Sequence, residues 1–85
     1  ISIFGEVTET GNYPYEKGMT AVEAISLAGG FTKVASKNGV KIIRKHNGKE
    51  EVIKVPVGYI LKTGDKSKDV ALQAGDTVVV AESWF

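Results

Sequence analysis

TAVEAISLAGGF, residues 20–31, carries both a start and a stop signal for a helix. Its polarity decides how the rest of the chain is arranged. Thr20 and Glu23 have the spacing of a capping box, in which the hydroxyl accepts from the Glu23 N–H and the carboxylate reaches back to the Thr20 N–H. Ala21, Val22, Ala24, Ile25 and Ala28 then share one wide apolar arc at 100° per residue, leaving Glu23 and Ser26 on the polar remainder. Gly29-Gly30 falls where a left-handed terminating residue is wanted, with Phe31 placed to fold back on the last turn. A phosphate-binding loop has its glycines before a helix, where free N–H groups meet the anion. Here they follow it, so the pair reads as a helix stop. The helix is about ten residues, too short to be stable alone, and its apolar arc is built to lie on a sheet.

Upstream, residues 1–8 are rich in β-branched and aromatic types, with Ile3 and Val7 on one face and Ser2, Glu6 and Thr8 on the other. Thr10-Gly11-Asn12 supplies turn chemistry, and Tyr13 and Tyr15 alternate with Asn12, Pro14 and Glu16. Pro14 lacks a ladder donor and favours an edge, so this is expected to be a second, edge strand of a hairpin.

Downstream, Thr32 to Gly39 reads as a polar connection and Val40 to Lys45 as a third strand. Asn47-Gly48 between two β-prone runs is the signature of a type I′ hairpin, with Val52 to Val55 returning until Pro56. Val57 to Lys62 suits one short helical turn with Tyr59, Ile60 and Leu61 packed inward, and Thr63 to Asp69 a charged loop. Leu72 to Asp76, with Gly75-Asp76, turns the chain into Thr77-Val78-Val79-Val80-Ala81. That run is expected to be a central strand buried on both faces. Two hairpins flanking one helix leave a slot for this last strand between them, where its backbone groups are paired. The reading is an α+β fold of β-grasp type: a mixed sheet of about five strands packed on one helix, in the order ββαββ-turn-β, forming one domain over residues 1–85.

The chain has 85 residues, 42% hydrophobic and 25% charged, with ten glycines, no cysteine and a net charge of +1. This is ordinary globular composition with room for one small core. Without cysteine there is no disulfide or thiolate chemistry, and no redox indication of compartment. Ile1-Ser2-Ile3-Phe4 reads as a strand entered at once and not as a signal peptide, which suggests a piece of a longer protein. No apolar run approaches the ~20 residues of a membrane helix.

Little in the sequence suits catalysis. His46 is the only histidine and falls in the predicted hairpin turn without a carboxylate to orient it. The serines stand in no nucleophile motif. Asp65, Ser67 and Asp69, with Asp76 eleven residues after Asp65, partly follow calcium-loop spacing. Val70 stands where that loop needs glycine, and two lysines interrupt it, so no metal site is expected.

Charge is informative in its distribution. Residues 33–49 hold six basic residues (Lys33, Lys37, Lys41, Arg44, Lys45, Lys49) and no acid, whereas residues 1–23 hold Glu6, Glu9, Glu16 and Glu23 against Lys17 alone. Three readings stand open: two solvated faces, a head-to-tail contact between copies that closes into a ring, or a basic contact for acidic sugars or phosphate. Nucleic acid fits less well, with Phe31 the sole aromatic nearby and a small net charge. Trp84 and Phe85 either pack onto the sheet or begin a contact with a further segment or partner.

Gly5-Glu6-Val7, Gly11 followed by Tyr13, Gly18 with Thr20 to Ile25, Ala28-Gly29-Gly30, the strand to Arg44, and Leu72, Gly75-Asp76, Val78 and Val80 together resemble the soluble-ligand-binding β-grasp (SLBB) repeat. The closing Val80 to Phe85 is most similar to polysaccharide biosynthesis/export proteins of bacterial outer envelopes. One departure is Thr10, which stands where a proline often precedes the glycine. The resemblance implies a non-catalytic module without cofactor, periplasmic, in an outer-membrane-associated protein whose copies form rings and pass capsular or exopolysaccharide outward. Its partners would be other copies and polysaccharide, with the membrane reached only through other parts of the parent. The same resemblance allows a small-ligand or nucleic-acid-binding module, as in a DNA-uptake protein.

Overall fold

The computed structural model describes residues 1–84. In chain order the elements are strand β1 (Ser2–Gly5), β2 (Gly11–Asn12), helix α1 (Ala21–Leu27), β3 (Ala35–His46), β4 (Lys49–Val55), helix α2 (Val57–Thr63), a 3₁₀ turn (Lys66–Lys68) and β5 (Thr77–Glu82). The strands form one mixed sheet in the order β2-β1-β5-β3-β4. The last strand therefore occupies the slot between the two hairpins. It runs parallel to β1, from Ser2↔Thr77 to Gly5↔Val80, and antiparallel to β3, from Val40↔Val80 to Ile43↔Thr77.

Both helices lie on one face of this sheet. Ile3, Val40, Ile42, Val55, Val78 and Val80 meet Ala21, Ala24 and Ile25 of α1, with Ala28 at its end, and Val57 and Ile60 of α2. The alanines let the helix backbone approach the sheet, and each fully buried Val or Ile contributes about 1.5–3 kcal/mol. The other face carries no helix. On it β5 shows Thr77, Val79 and Ala81 only half-buried, so the strand is fully buried on the Val78–Val80 face alone and not on both faces as expected. Being central in a sheet satisfies a strand's backbone but does not cover both faces.

The start and stop of α1 lie where the sequence puts them, although the helix is seven residues and not ten. Thr20 Oγ1 accepts from Glu23 N at 3.3 Å while Glu23 Oε1 accepts from Thr20 N at 3.1 Å. At the other end Gly29 N donates to Ser26 O and Gly30 N to Ile25 O, the two bonds of a Schellman stop, with φ of +86° and +85° at the glycines. The same turn anchors the first loop, as Thr8 N donates to Gly30 O and Glu9 N to Ala28 O.

Several boundaries move. β1 ends at Gly5, where φ is +90° and a Cβ would stand 2.1 Å from Val80 O. Val7 makes only an isolated bridge to Phe31. The second strand is Gly11–Asn12, ahead of the tyrosines, because Pro14 halts the ladder. Tyr13 and Tyr15 instead pack against the core, and the Tyr15 hydroxyl donates to Leu72 O at 3.2 Å. β3 extends back through residues 35–39, read from sequence as a connection, because Ala35 pairs with Glu82 across an irregularity that ends at Val40. In α2 the buried pair is Val57 and Ile60, while Tyr59 and Leu61 are exposed at 43% and 58%.

Asp76 closes the arrangement. Its carboxylate is 1% exposed and accepts from Arg44 Nε at 3.0 Å, from Arg44 Nη2 at 2.8 Å and from Gln73 N at 2.8 Å. Arg44 Nη2 also donates to Ala71 O at 3.1 Å. The Asp76 carbonyl accepts from Ser2 N at 3.0 Å, so one residue joins β1, β3 and the turn into β5. The hydrogen bond to Asp76 raises Arg44 above the ordinary guanidinium value against the opposing effect of burial. A raised basic group contributes fully below its unfolded value, so none of this is lost at neutral or moderately alkaline pH.

Two substitutions test the framework. Arg44→Met leaves the buried Asp76 carboxylate without its counter-charge and is expected to cost about 3–5 kcal/mol in urea unfolding; a loss below about 1 kcal/mol would show that the pair does not hold β5. Gly29→Val forces a β-branched residue into the left-handed region with its Cβ 2.9 Å from Thr8 Cβ. It is expected to cost more than about 1 kcal/mol, and an unchanged thermal melt would refute the helix stop.

Candidate functional site

On the helix face the two helices do not close on each other. Between them lies an open cleft of about 700 Å³ that continues into an apolar one of about 300 Å³, with Val22 and Leu61 lining both. One end is polar, bounded by Thr20, Glu23, Lys66 and Asp69. The other is apolar, bounded by Ile25, Phe31 and Val57. The short α1 and the position of α2 directly after Pro56 produce this gap. Leu61 belongs to its wall because it lies off the Val57–Ile60 stripe that enters the core; the i, i+3 spacing of that stripe was the available signal.

Each carboxylate at the polar end already accepts from the backbone through one of its oxygens. Glu23 Oε1 takes the Thr20 N–H, and Asp69 Oδ1 takes the N–H groups of Val22 at 3.3 Å and Val70 at 2.9 Å. Asp65 accepts from both the hydroxyl and the N–H of Ser67, which holds its carboxyl below the usual range. Asp76 is committed to Arg44 through both oxygens, while Asp65 and Asp69 are each held through Oδ1, by Ser67 and by the backbone. Among the described residues no group of three metal-ligating side chains occurs. The cleft thus offers an amphipathic seat: an aliphatic floor, a lysine at its mouth and no clustered catalytic groups.

The six basic residues do not form one surface. Arg44 shares the core-facing side of β3 with Val40 and Ile42 and is held by Asp76. Lys41 and Lys45 are exposed on the helix-free face, and Lys33, Lys37 and Lys49 are also exposed. The two hairpins do occupy opposite edges of the sheet. Lys33, however, stands beside the acidic segment, because Thr32 N donates to Glu6 O at 3.1 Å and Thr32 Oγ1 to Glu6 Oε1 at 2.8 Å. Glu9 and Glu16 are exposed. In register, Glu51 faces Arg44 and Glu50 faces Lys45, whereas Lys41 faces Lys54.

His46 is the exposed last residue of β3, opposite Lys49. The Asn47–Gly48 turn has φ of +51° and +77°, as a two-residue type I′ loop requires. Trp84 is 81% exposed and does not pack onto the sheet; Phe85 lies outside the described residues.

Among curated proteins none matches the chain. The model of the SLBB domain family matches residues 1–56, from β1 through β4 to Pro56. The matched part lacks β5, yet β5 is the strand that joins β1 to β3, so the sheet needs residues beyond the match. The match spans more than half the chain and agrees with the β-grasp sheet, and the chain accordingly belongs to the SLBB family, a family of ligand-binding modules.

Proposed function

We propose that this domain is a non-catalytic binding and assembly module of a bacterial polysaccharide export protein, working in the periplasm, and that its ligand seat is the cleft between α1 and α2. The cleft carries the reading. It combines an aliphatic floor at Val22, Ile60 and Leu61 with a polar mouth at Thr20 and Lys66. Such a surface suits a saccharide, whose ring presents C–H groups on one side and hydroxyls at its rim. Support for the export setting is the resemblance of the closing stretch, Val80 to Phe85, to polysaccharide export proteins. Support for assembly is the charge difference between the two hairpins, with Lys41 and Lys45 exposed on β3 of the second and Glu9 and Glu16 exposed around β2 of the first. These charges are exposed, so each contact is worth only about 0–1 kcal/mol and falls off over a Debye length of roughly 8 Å.

A second reading is a small-ligand or nucleic-acid-binding module, favoured by the exposed Lys41, Lys45 and Lys49 around the second hairpin. The two are separated by amide chemical-shift mapping of the labelled domain with neutral and uronate-bearing oligosaccharides and with single-stranded DNA. The export reading expects saccharide-induced shifts at Val22, Leu61 and Lys66, abolished by Leu61→Asp without loss of the melting temperature. Shifts confined to the second hairpin, and induced by DNA and not by saccharide, would transfer the function to the second reading.

A further inference from the structure

The sheet ends differently at its two edges. β2 is two residues long and runs into Pro14, which has no N–H to offer a further strand. β4 is seven residues long, and Lys49 to Val52 and Lys54 are all exposed. A long open edge presents a row of unpaired N–H and C=O groups, which proteins normally cover or blunt.

The direction of those groups follows from the turn. A two-residue type I′ loop closes on a hydrogen-bonded pair, here His46 and Lys49, and hydrogen-bonded and non-bonded pairs alternate along an antiparallel ladder. Lys49, Glu51, Ile53 and Val55 therefore direct their backbone groups at β3. Glu50, Val52 and Lys54 direct theirs outward, and their side chains lie on the helix-free face.

Those three residues are self-complementary. If a second β4 lies antiparallel with Val52 opposite its own copy, Glu50 falls opposite Lys54 at both ends. Each of the three pairs can then exchange both N–H···O=C bonds. Moving the second strand by two residues in either sense places Glu50 or Lys54 opposite Val52 and loses both charge pairs. The same register relieves a conflict inside the chain. Lys54 faces Lys41 across the β3–β4 ladder, a like-charge opposition that is unfavourable, and among the described residues neither lysine has a carboxylate within salt-bridge distance. A Glu50 from a second copy would stand on the free side of Lys54. The half-buried Ile43 and the exposed Val52, adjacent on this face, would continue across the junction.

We propose that β4 is an isologous pairing edge, through which two copies of this domain join into one continuous sheet in the register Glu50–Lys54, Val52–Val52, Lys54–Glu50. The contact uses one edge of each copy, so it closes at two. It lies apart from the α1–α2 cleft, and its test does not depend on the ligand. The interface is small, so roughly hundreds of micromolar protein is the range in which it forms.

Sedimentation equilibrium of the 85-residue chain is expected to show a concentration-dependent dimer, with amide exchange at Glu50, Val52 and Lys54 slowing as the concentration rises. Glu50→Lys and Lys54→Glu should each be monomeric, because each places like charges opposite one another at both ends. An equimolar mixture of the two variants should recover a 1:1 dimer, since one chain then carries only lysine at the two outer pairing positions and the other only glutamate. The double exchange on one chain should recover the homodimer. Lys54→Glu also removes the opposition to Lys41, so its melting temperature should be no lower than that of the unsubstituted chain. A mixture of two folded variants that stays monomeric would overturn the proposal. So would a dimer that survives both single changes, or exchange at the three amides that is independent of concentration.

Discussion

The carboxylate of Asp76 is the point at which three separate stretches of chain agree on one geometry. A β-grasp sheet must thread its last strand between two strands formed much earlier, one parallel and one antiparallel to it, and its register must be set against both. The apolar pair Val78 and Val80 favours one register, since a shift of two residues would bring Asp76 or Glu82 into a position now held by a buried valine. The Arg44–Asp76 pair fixes that same register by direction, because a guanidinium on β3 meets a carboxylate at the entrance to β5 through two bonds. The Ser2 N–H on the Asp76 carbonyl sets β1 at the same level. A buried ion pair is weak evidence for stability in general, since desolvation offsets its attraction. Here its contribution is to register, and the cost of breaking it arises from the charge left behind.

What the sequence revealed, and what it hid, follows the same division between local and distant causes. The capping box at Thr20–Glu23, the glycine stop and the Asn47–Gly48 turn are determined by residues within a few positions of each other, and all three lie where the pattern places them. The strand order was legible because two hairpins and one helix leave a single place for Thr77 to Ala81. The extents of β1, β2 and β3 were not. They depend on which partner strand happens to run alongside, as when Glu82 recruits Ala35 into β3 although nothing in residues 35–39 alternates. The basic segment misled for a related reason. Six cations in seventeen residues look like one patch on a linear chain, but the two faces of a strand separate Arg44 from Lys41 and Lys45, and the partner strand supplies Glu50 and Glu51 against two of them.

The cleft on the helix face and the open edge at β4 arise from the same economy in a small chain. With so few large side chains available, α1 reaches the sheet through alanines and is only seven residues long, leaving α2 to cover the region beside β3. Two short helices on a twisted sheet cannot fill the space between them, and Val22 and Leu61 are left lining the gap. The sequence signal for such a site is indirect: a helix whose inward positions are small, followed by a second helix with only two core residues.

The edges of the sheet express the remaining constraint. Pro14 and a two-residue β2 close one side to further pairing, a device that costs little because the tyrosines beside it are held by the core. On the other side no proline, bulge or covering helix intervenes along Lys49 to Lys54, and the only protection is charge. Charge protects an edge when no register brings opposite signs together. Glu50 and Lys54, symmetric about Val52, meet each other in one antiparallel register and in no other, because a strand that reads as its own complement converts a barrier into an address. The unfavourable facing of Lys41 and Lys54 is then intelligible as part of that address: within one chain it is a small penalty, and it is offset only when a second chain supplies the carboxylate.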